Sequence, residues 1–191
     1  MNIASFDTEV CRGEFISFDV FSGYSFVEGN WTLTNSEGVE VASQSNSSFW
    51  SFETNFDPGI YTVSMTNQSG DFCNDRVLTT FQIRPLPEAI NGIDGPLSVC
   101  QGDENIYTIQ ASVFDGFTFN WRFNDGGSQT NLSGQSAVFT WLTNGPYAIT
   151  VVAENQYGCE SEGFILDLTP AALTDITGDS ELCIHLSLIH I

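Results

Sequence analysis

Two tandem antiparallel β-sandwiches, an all-β chain, is the architecture this sequence predicts, and three observations predict it. Apolar and polar residues alternate with period two in short runs. The runs are separated by Asp, Asn, Gly and Pro, the residues that make turns. A set of landmarks occurs twice in the same order, 86 to 91 residues apart across the 191 residues.

The alternating runs come first. Ile16, Phe18 and Val20 alternate with Ser17 and Asp19; Tyr61, Val63 and Met65 with Thr62 and Ser64; Phe164, Leu166 and Leu168 with Ile165 and Asp167. Side chains on a strand point alternately to opposite faces, so each run buries one face and wets the other. Turn signals fall between runs at Asp57-Pro58-Gly59, Asn124-Asp125-Gly126-Gly127 and Asn144-Gly145-Pro146. About seven strands per roughly 85 residues is the pattern of a sandwich.

The repeat organises the rest. Val10-Cys11-Arg12-Gly13 matches Val99-Cys100-Gln101-Gly102, and Asn30-Trp31 matches Asn120-Trp121. Ser48-Phe49-Trp50 echoes Phe139-Thr140-Trp141, and Gly59-Ile60-Tyr61 echoes Gly145-Pro146-Tyr147. Each of these tyrosines precedes a cysteine, Cys73 or Cys159, by twelve residues. The boundaries follow: module one over 1–86, module two over 87–172, and the start of a third over 173–191. The third opens at Ile176-Thr177-Gly178 through Cys183; the apolar stretch from His185 to Ile191 breaks the pattern and is set aside as an artefactual tail. Arg84-Pro85-Leu86-Pro87-Glu88 reads as a short, stiff linker.

Five cysteines are present, and no two stand as Cys-x-x-Cys. The pairing that gives both modules the same bridge is Cys11–Cys73 with Cys100–Cys159, leaving Cys183 for the remainder of module three. Each bridge is expected near one end of its sandwich. Closing a loop of about 60 residues adds roughly 4 kcal/mol in the chain-entropy model. Buried free thiols are the alternative. Paired cysteines imply an oxidising compartment, and with no leader visible at Met1–Asp7 the chain is expected to be a fragment of an exported protein.

Composition excludes several functions. There are 24 acidic and 4 basic residues, a net charge of −20, and all four basic residues (Arg12, Arg76, Arg84, Arg122) are arginines. Such a surface does not hold phosphate backbones, and no apolar run is long enough to span a membrane, so neither nucleic acid nor membrane insertion is expected. At 41% hydrophobic content the chain is too apolar for a disordered acidic tail. Without lysine, exposed strand edges are expected to be guarded by Asp and Glu.

Asn120-Trp121-Arg122-Phe123-Asn124-Asp125-Gly126-Gly127 resembles the Trp-x-Phe-Gly-Asp-Gly core of polycystin-type (PKD) domains, with Asn124 in place of a glycine. Gly145-x-Tyr147-x-Ile149-x-Val151 resembles that family's Gly-x-Tyr-x-Val strand. With the cysteine framework, the chain is similar to PKD-like and Ig-like repeats of secreted Bacteroidota-type adhesins. Module one keeps Trp31 but not the acidic turn. The resemblance implies a non-catalytic extracellular or cell-surface module.

No histidine lies inside either module, so no Ser-His-Asp or Cys-His arrangement is available, and no enzyme and no cofactor are expected. Asp125, with Glu160 and Glu162, is a weak calcium candidate, set against a plain turn. Trp50 and Trp141 are candidate glycan contacts, set against burial in the core. Trp31 and Trp121 are expected as central packing residues. Tyr61 and Tyr147 are expected to pack while tying their hydroxyls to a nearby backbone group. The function these features predict is a stalk, spacer and adhesive module, with neighbouring repeats and surface glycans or proteins as partners. A carbohydrate-binding module of a secreted hydrolase is the alternative.

Overall fold

The computed structural model describes residues 2–5, 8–22, 25–26, 28–67, 76–112, 115–126 and 129–171. It is all strand, with no helix among the described residues. The chain divides into two units, Met1–Leu86 and Pro87–Ile191. The expected third module, 173–191, lies outside the described residues.

In the first unit, strands β1 (Asn2–Ser5), β3 (Phe15–Ser22), β4 (Ser25–Phe26) and β7 (Phe49–Glu53) make one sheet. Strands β2 (Glu9–Cys11), β5 (Gly29–Thr34), β6 (Glu40–Ser47), β8 (Gly59–Asn67) and β9 (Arg76–Arg84) make the other, in the order β2-β9-β8-β5-β6. Alternation decides what faces inward: Ile16, Phe18 and Val20 from one sheet meet Trp31, Leu33, Val63 and Met65 from the other in one buried cluster. The rings of Phe18 and Phe81 stand 5.6 Å apart across the layers.

The second unit repeats this plan. Strands β10 (Gly92–Asp94), β12 (Glu104–Gln110) and β15 (Ser136–Thr140) form the smaller sheet. Strands β11 (Ser98–Val99), β13 (Phe117–Asn124), β14 (Gln129–Ser133), β16 (Tyr147–Asn155) and β17 (Phe164–Pro170) form the larger, ordered β11-β17-β16-β13-β14. Phe119, Trp121 and Phe123 alternate into the core from β13, as do Tyr147, Ile149, Val151 and Ala153 from β16.

In each unit the first stretch of chain divides between the sheets. β1 and β10 pair antiparallel in the smaller sheet, while β2 and β11 run parallel to the last strand of the larger one, β9 and β17 respectively. The edge strand β6 is guarded less by charge than by geometry. Its register against β5 shifts twice, and Asn46 takes a φ of 55°, so the edge is irregular and offers a poor template for another strand.

The predicted bridge within module two is not formed. Val99 pairs with Pro170, beside the Tyr147 end of β16, which puts Cys100 at that end. Cys159 sits at the other end, its N–H donating to Asn155 Oδ1 at 3.1 Å. Eight residues of strand separate the two, roughly 26 Å at about 3.3 Å per residue. A disulfide requires Cα atoms within about 7 Å. Cys11, Cys100 and Cys159 are each disulfide-bonded, so Cys100 and Cys159 are bonded to cysteines other than each other. Cys73 and Cys183 lie outside the described residues. Peptide mapping without reductant is expected to find no Cys100–Cys159 linked peptide; recovering one would refute the register.

Candidate functional site

The two tryptophans expected at the centre are fully buried and play matching parts. Trp31 Nε1 donates to the Ser47 carbonyl at 2.8 Å, and Trp121 Nε1 to the Gly134 carbonyl at 2.6 Å. Each indole thereby fills the core and satisfies a carbonyl at the end of the neighbouring strand β6, or just past the end of β14. The two tyrosines are also buried. Tyr61 Oη donates to the Asp57 carbonyl at 2.7 Å, and Tyr147 Oη donates to the Thr143 carbonyl, four residues upstream in both cases. Burial raises both phenol pKa values, with the negative charges of Asp57 and Asp125 adding to the effect.

Neither candidate glycan contact is available at a surface. Trp50 is 5% exposed and Trp141 fully buried, each packed among aromatic rings. The alternation explains Trp50, which points inward opposite Phe18. The structure also shows that the two are not equivalent. Phe18 pairs with Trp50, and its counterpart Tyr107 pairs with Ala137. Trp141 instead takes the place of Thr54: Thr54 exchanges backbone hydrogen bonds with Gly13 and Glu14, and Trp141 does so with Gly102 and Asp103. The Phe/Trp landmarks of the two units therefore stand four residues out of step in the fold.

Trp141 and Thr54 solve the same packing problem differently. Thr54 Oγ1 donates within 2.9 Å of the carbonyls of Cys11 and Glu14, a polar plug. Trp141 fills that volume with carbon, donates its Nε1 to Asn105 Oδ1 at 3.1 Å and packs on Tyr107. Buried there, Tyr107 has its pKa pushed up to about 12, with burial the chief cause. The neutral phenol is favoured in the folded state, so this contribution is intact below pH 10.0 and lost as pH rises through about 12. Tyrosinate absorbance in an alkaline titration is expected to show Tyr107 ionising later than Tyr61 and Tyr147, whose pKa values burial also raises, its late phase rising together with loss of fold. A Tyr107→Phe variant that keeps this late phase would overturn the assignment.

The calcium set is not assembled. Asp125 is fully buried and follows Asn124, which pairs with Ala148; Glu160 bridges Glu154 toward the other end of β16. Six residues of strand lie between, roughly 20 Å. The Asp125 carboxylate accepts the Leu142 N–H at 3.3 Å, tying down the loop after β15. Among the described residues no group of three or more His, Cys, Asp or Glu stands close enough to hold a metal ion.

Sequence reasoning passed over a cleft of about 540 Å³ at the tyrosine end of the first unit. The β5–β6 and β7–β8 connections line it, with Asn35, Glu37, Asn55, Phe56, Asp57 and Tyr61. Asn35 Oδ1 accepts the N–H groups of Glu37 and Val39 and shapes one wall. Phe56 packs on Tyr61 at 5.8 Å between ring centres. Arg12 lies 3.9 Å from the Asp57 carboxylate, whose side chain is 94% exposed. The only hint in the sequence was the turn Asp57-Pro58-Gly59, read as punctuation.

Residues 97–164 match the family model of the PKD domain. No curated protein matches the chain. Among solved structures, the chain is similar to a two-domain fibronectin type III segment of chicken tenascin, at 12% identity over 88% of this chain and 97% of that one, with a TM-score of 0.40. It is similar to fibronectin(III)-like modules of Clostridium thermocellum CbhA at 12% identity, covering 93% and 99%, with a TM-score of 0.43. For the FN1–FN3 domains of chicken CNTN1 the identity is 12%, the coverage 85% and 62%, and the TM-score 0.45.

Proposed function

We propose that the chain is a load-bearing spacer: tandem, non-catalytic modules of a longer secreted or surface protein. One observation carries this reading. In each unit the strand near its start lies parallel and hydrogen-bonded to the strand at its end. Gln82 N–H donates to the Thr8 carbonyl at 2.9 Å and Arg12 N–H to the Arg84 carbonyl at 3.0 Å. Thr169 N–H donates to the Leu97 carbonyl at 3.0 Å and Ala171 N–H to the Val99 carbonyl at 2.9 Å. Tension applied at the two ends of such a unit pulls these strands past each other. All bonds of the pair then resist together, whereas an antiparallel terminal pair would unzip bond by bond.

Disulfide-bonded cysteines fit an oxidising, extracellular setting. The charge of −20 suits a repetitive surface protein by keeping copies apart. Adhesion to surface glycans or proteins belongs to this reading as a property of exposed loops rather than of the buried tryptophans. Single-molecule pulling tests it. Force applied through the ends of one unit is expected to break it at a clearly higher value than force applied through a terminus and the β7–β8 turn. Equal forces in the two directions would sink the proposal. Near the sequence pI of ≈ 4.1 the repulsion vanishes, and light scattering is expected to rise as pH falls toward that value.

A further inference from the structure

We propose that the Asp57–Pro58 peptide bond is a self-cleaving point triggered by mild acid. The fold places all the parts at one turn, between β7 and β8. Asp57 carries a carboxyl on an exposed side chain, one carbon removed from its own backbone. The bond that follows is to a proline, whose nitrogen carries no hydrogen and is alkylated, and so departs more readily once protonated. The carbonyl of that same bond accepts the Tyr61 hydroxyl at 2.7 Å.

The chemistry balances without any added reagent except water and a proton. A carboxylate oxygen of Asp57 attacks the Asp57 backbone carbonyl carbon, forming a C–O bond and closing a five-membered anhydride. The carbon–nitrogen bond to Pro58 breaks, and a solvent proton stays on the proline nitrogen, which leaves as a secondary amine. Water then opens the anhydride. The net change is hydrolysis to a chain ending at Asp57 and a chain beginning at Pro58. Tyr61 acts at the carbonyl oxygen, where negative charge develops, as a fixed donor whose orientation is prepaid by the fold. Arg12 at 3.9 Å is the cation nearest the nucleophile, and Glu37 is the other carboxylate lining the cleft.

The second unit is an internal control. There the matching tyrosine, Tyr147, donates to the Thr143 carbonyl, and Thr143 is followed by Asn144. Thr143 carries no carboxyl of its own, and the bond that follows it is not to a proline. After cleavage β7 remains paired with β3, and β8 with β5 and β9, so the two pieces stay associated by strand pairing. The chemistry does not depend on the spacer reading. Under that reading, it cuts the covalent path along which tension runs.

The intact chain held in mildly acidic buffer above its pI, with and without concentrated urea, tests this by intact-mass spectrometry. Folded chain is expected to yield the Asp57-ended and Pro58-started fragments about tenfold faster than unfolded chain, a gain modest for one oriented donor. Asp57→Asn is expected to abolish both. Tyr61→Phe is expected to slow cleavage of the folded chain about tenfold and leave the urea rate unchanged. A wild-type rate no faster folded than in urea would overturn the proposal, even if the Tyr61 variant proved unfolded. So would a folded Tyr61→Phe variant that cleaved at the wild-type rate.

Discussion

Trp121→Ala is expected to remove most of the stability of the second unit. The indole is fully buried, lies 5.8 Å from Phe123 at an interplanar angle of 10°, and donates to the Gly134 carbonyl. Truncating a buried Trp to Ala costs about 3–5 kcal/mol, through lost transfer energy and the cavity left behind. The orphaned Gly134 carbonyl adds roughly 1 kcal/mol if water does not reach it. A domain of this size has about 5–15 kcal/mol in all, so the variant stands at the edge of folding. Trp121→Phe keeps much of the ring and loses mainly the hydrogen bond, so it is expected to cost markedly less. Urea unfolding followed by circular dichroism separates the two. Comparable midpoints for both variants would mean that Trp121 packs less tightly than described. Trp31→Ala is expected to act in the same way in the first unit.

Gly126→Ala is the second large effect. Gly126 has a φ of +89°, and a Cβ built there meets the carbonyl carbon and oxygen of Gly145 at 2.8 Å. Both neighbours are backbone, so no side chain can turn aside. Left-handed strain alone costs about 1–2 kcal/mol for a residue other than glycine. Gly38 isolates that part: its φ is +78°, and a Cβ there has nothing within 4 Å. Gly38→Ala is therefore expected to cost about 1 kcal/mol. Gly126→Ala is expected to cost clearly more, because the contact adds to the strain. Equal losses in urea melts of the two variants would show that the loop yields, and that the Gly126–Gly145 approach is not a constraint.

The acidic turn around Asp125 shows how a motif is legible while its purpose is not. Asn-Asp-Gly-Gly announces a turn, and Gly126 N–H indeed donates to Asn124 Oδ1 at 3.0 Å. Yet Asp125 is turned inward to hold the Leu142 N–H, which no local pattern reveals. Trp50 and Trp141 show the same limit. As a repeated Phe/Trp landmark they look equivalent, but strand pairing gives Trp50 the position that Ala137 holds in the second unit, and Trp141 the position that Thr54 holds in the first. Cross-strand partners lie tens of residues apart, and the spacing of landmarks does not reveal where a connection has gained or lost residues.

What the sequence determined by itself is what period-two alternation and turn chemistry decide locally: the strands, the inward-facing sets led by Trp31, Tyr61, Trp121 and Tyr147, and the doubling of the plan. What only the tertiary structure decided is which end of a sheet each loop reaches. Cys100 and Cys159 recur at repeat spacing, as a bridge would, but strand register sends them to opposite ends of β16. The Tyr61 hydroxyl meets the Asp57 carbonyl because the chain turns there, placing a donor on the one Asp–Pro bond of the described residues. Alternation is a property of neighbours in the chain. Register and loop placement belong to neighbours in space.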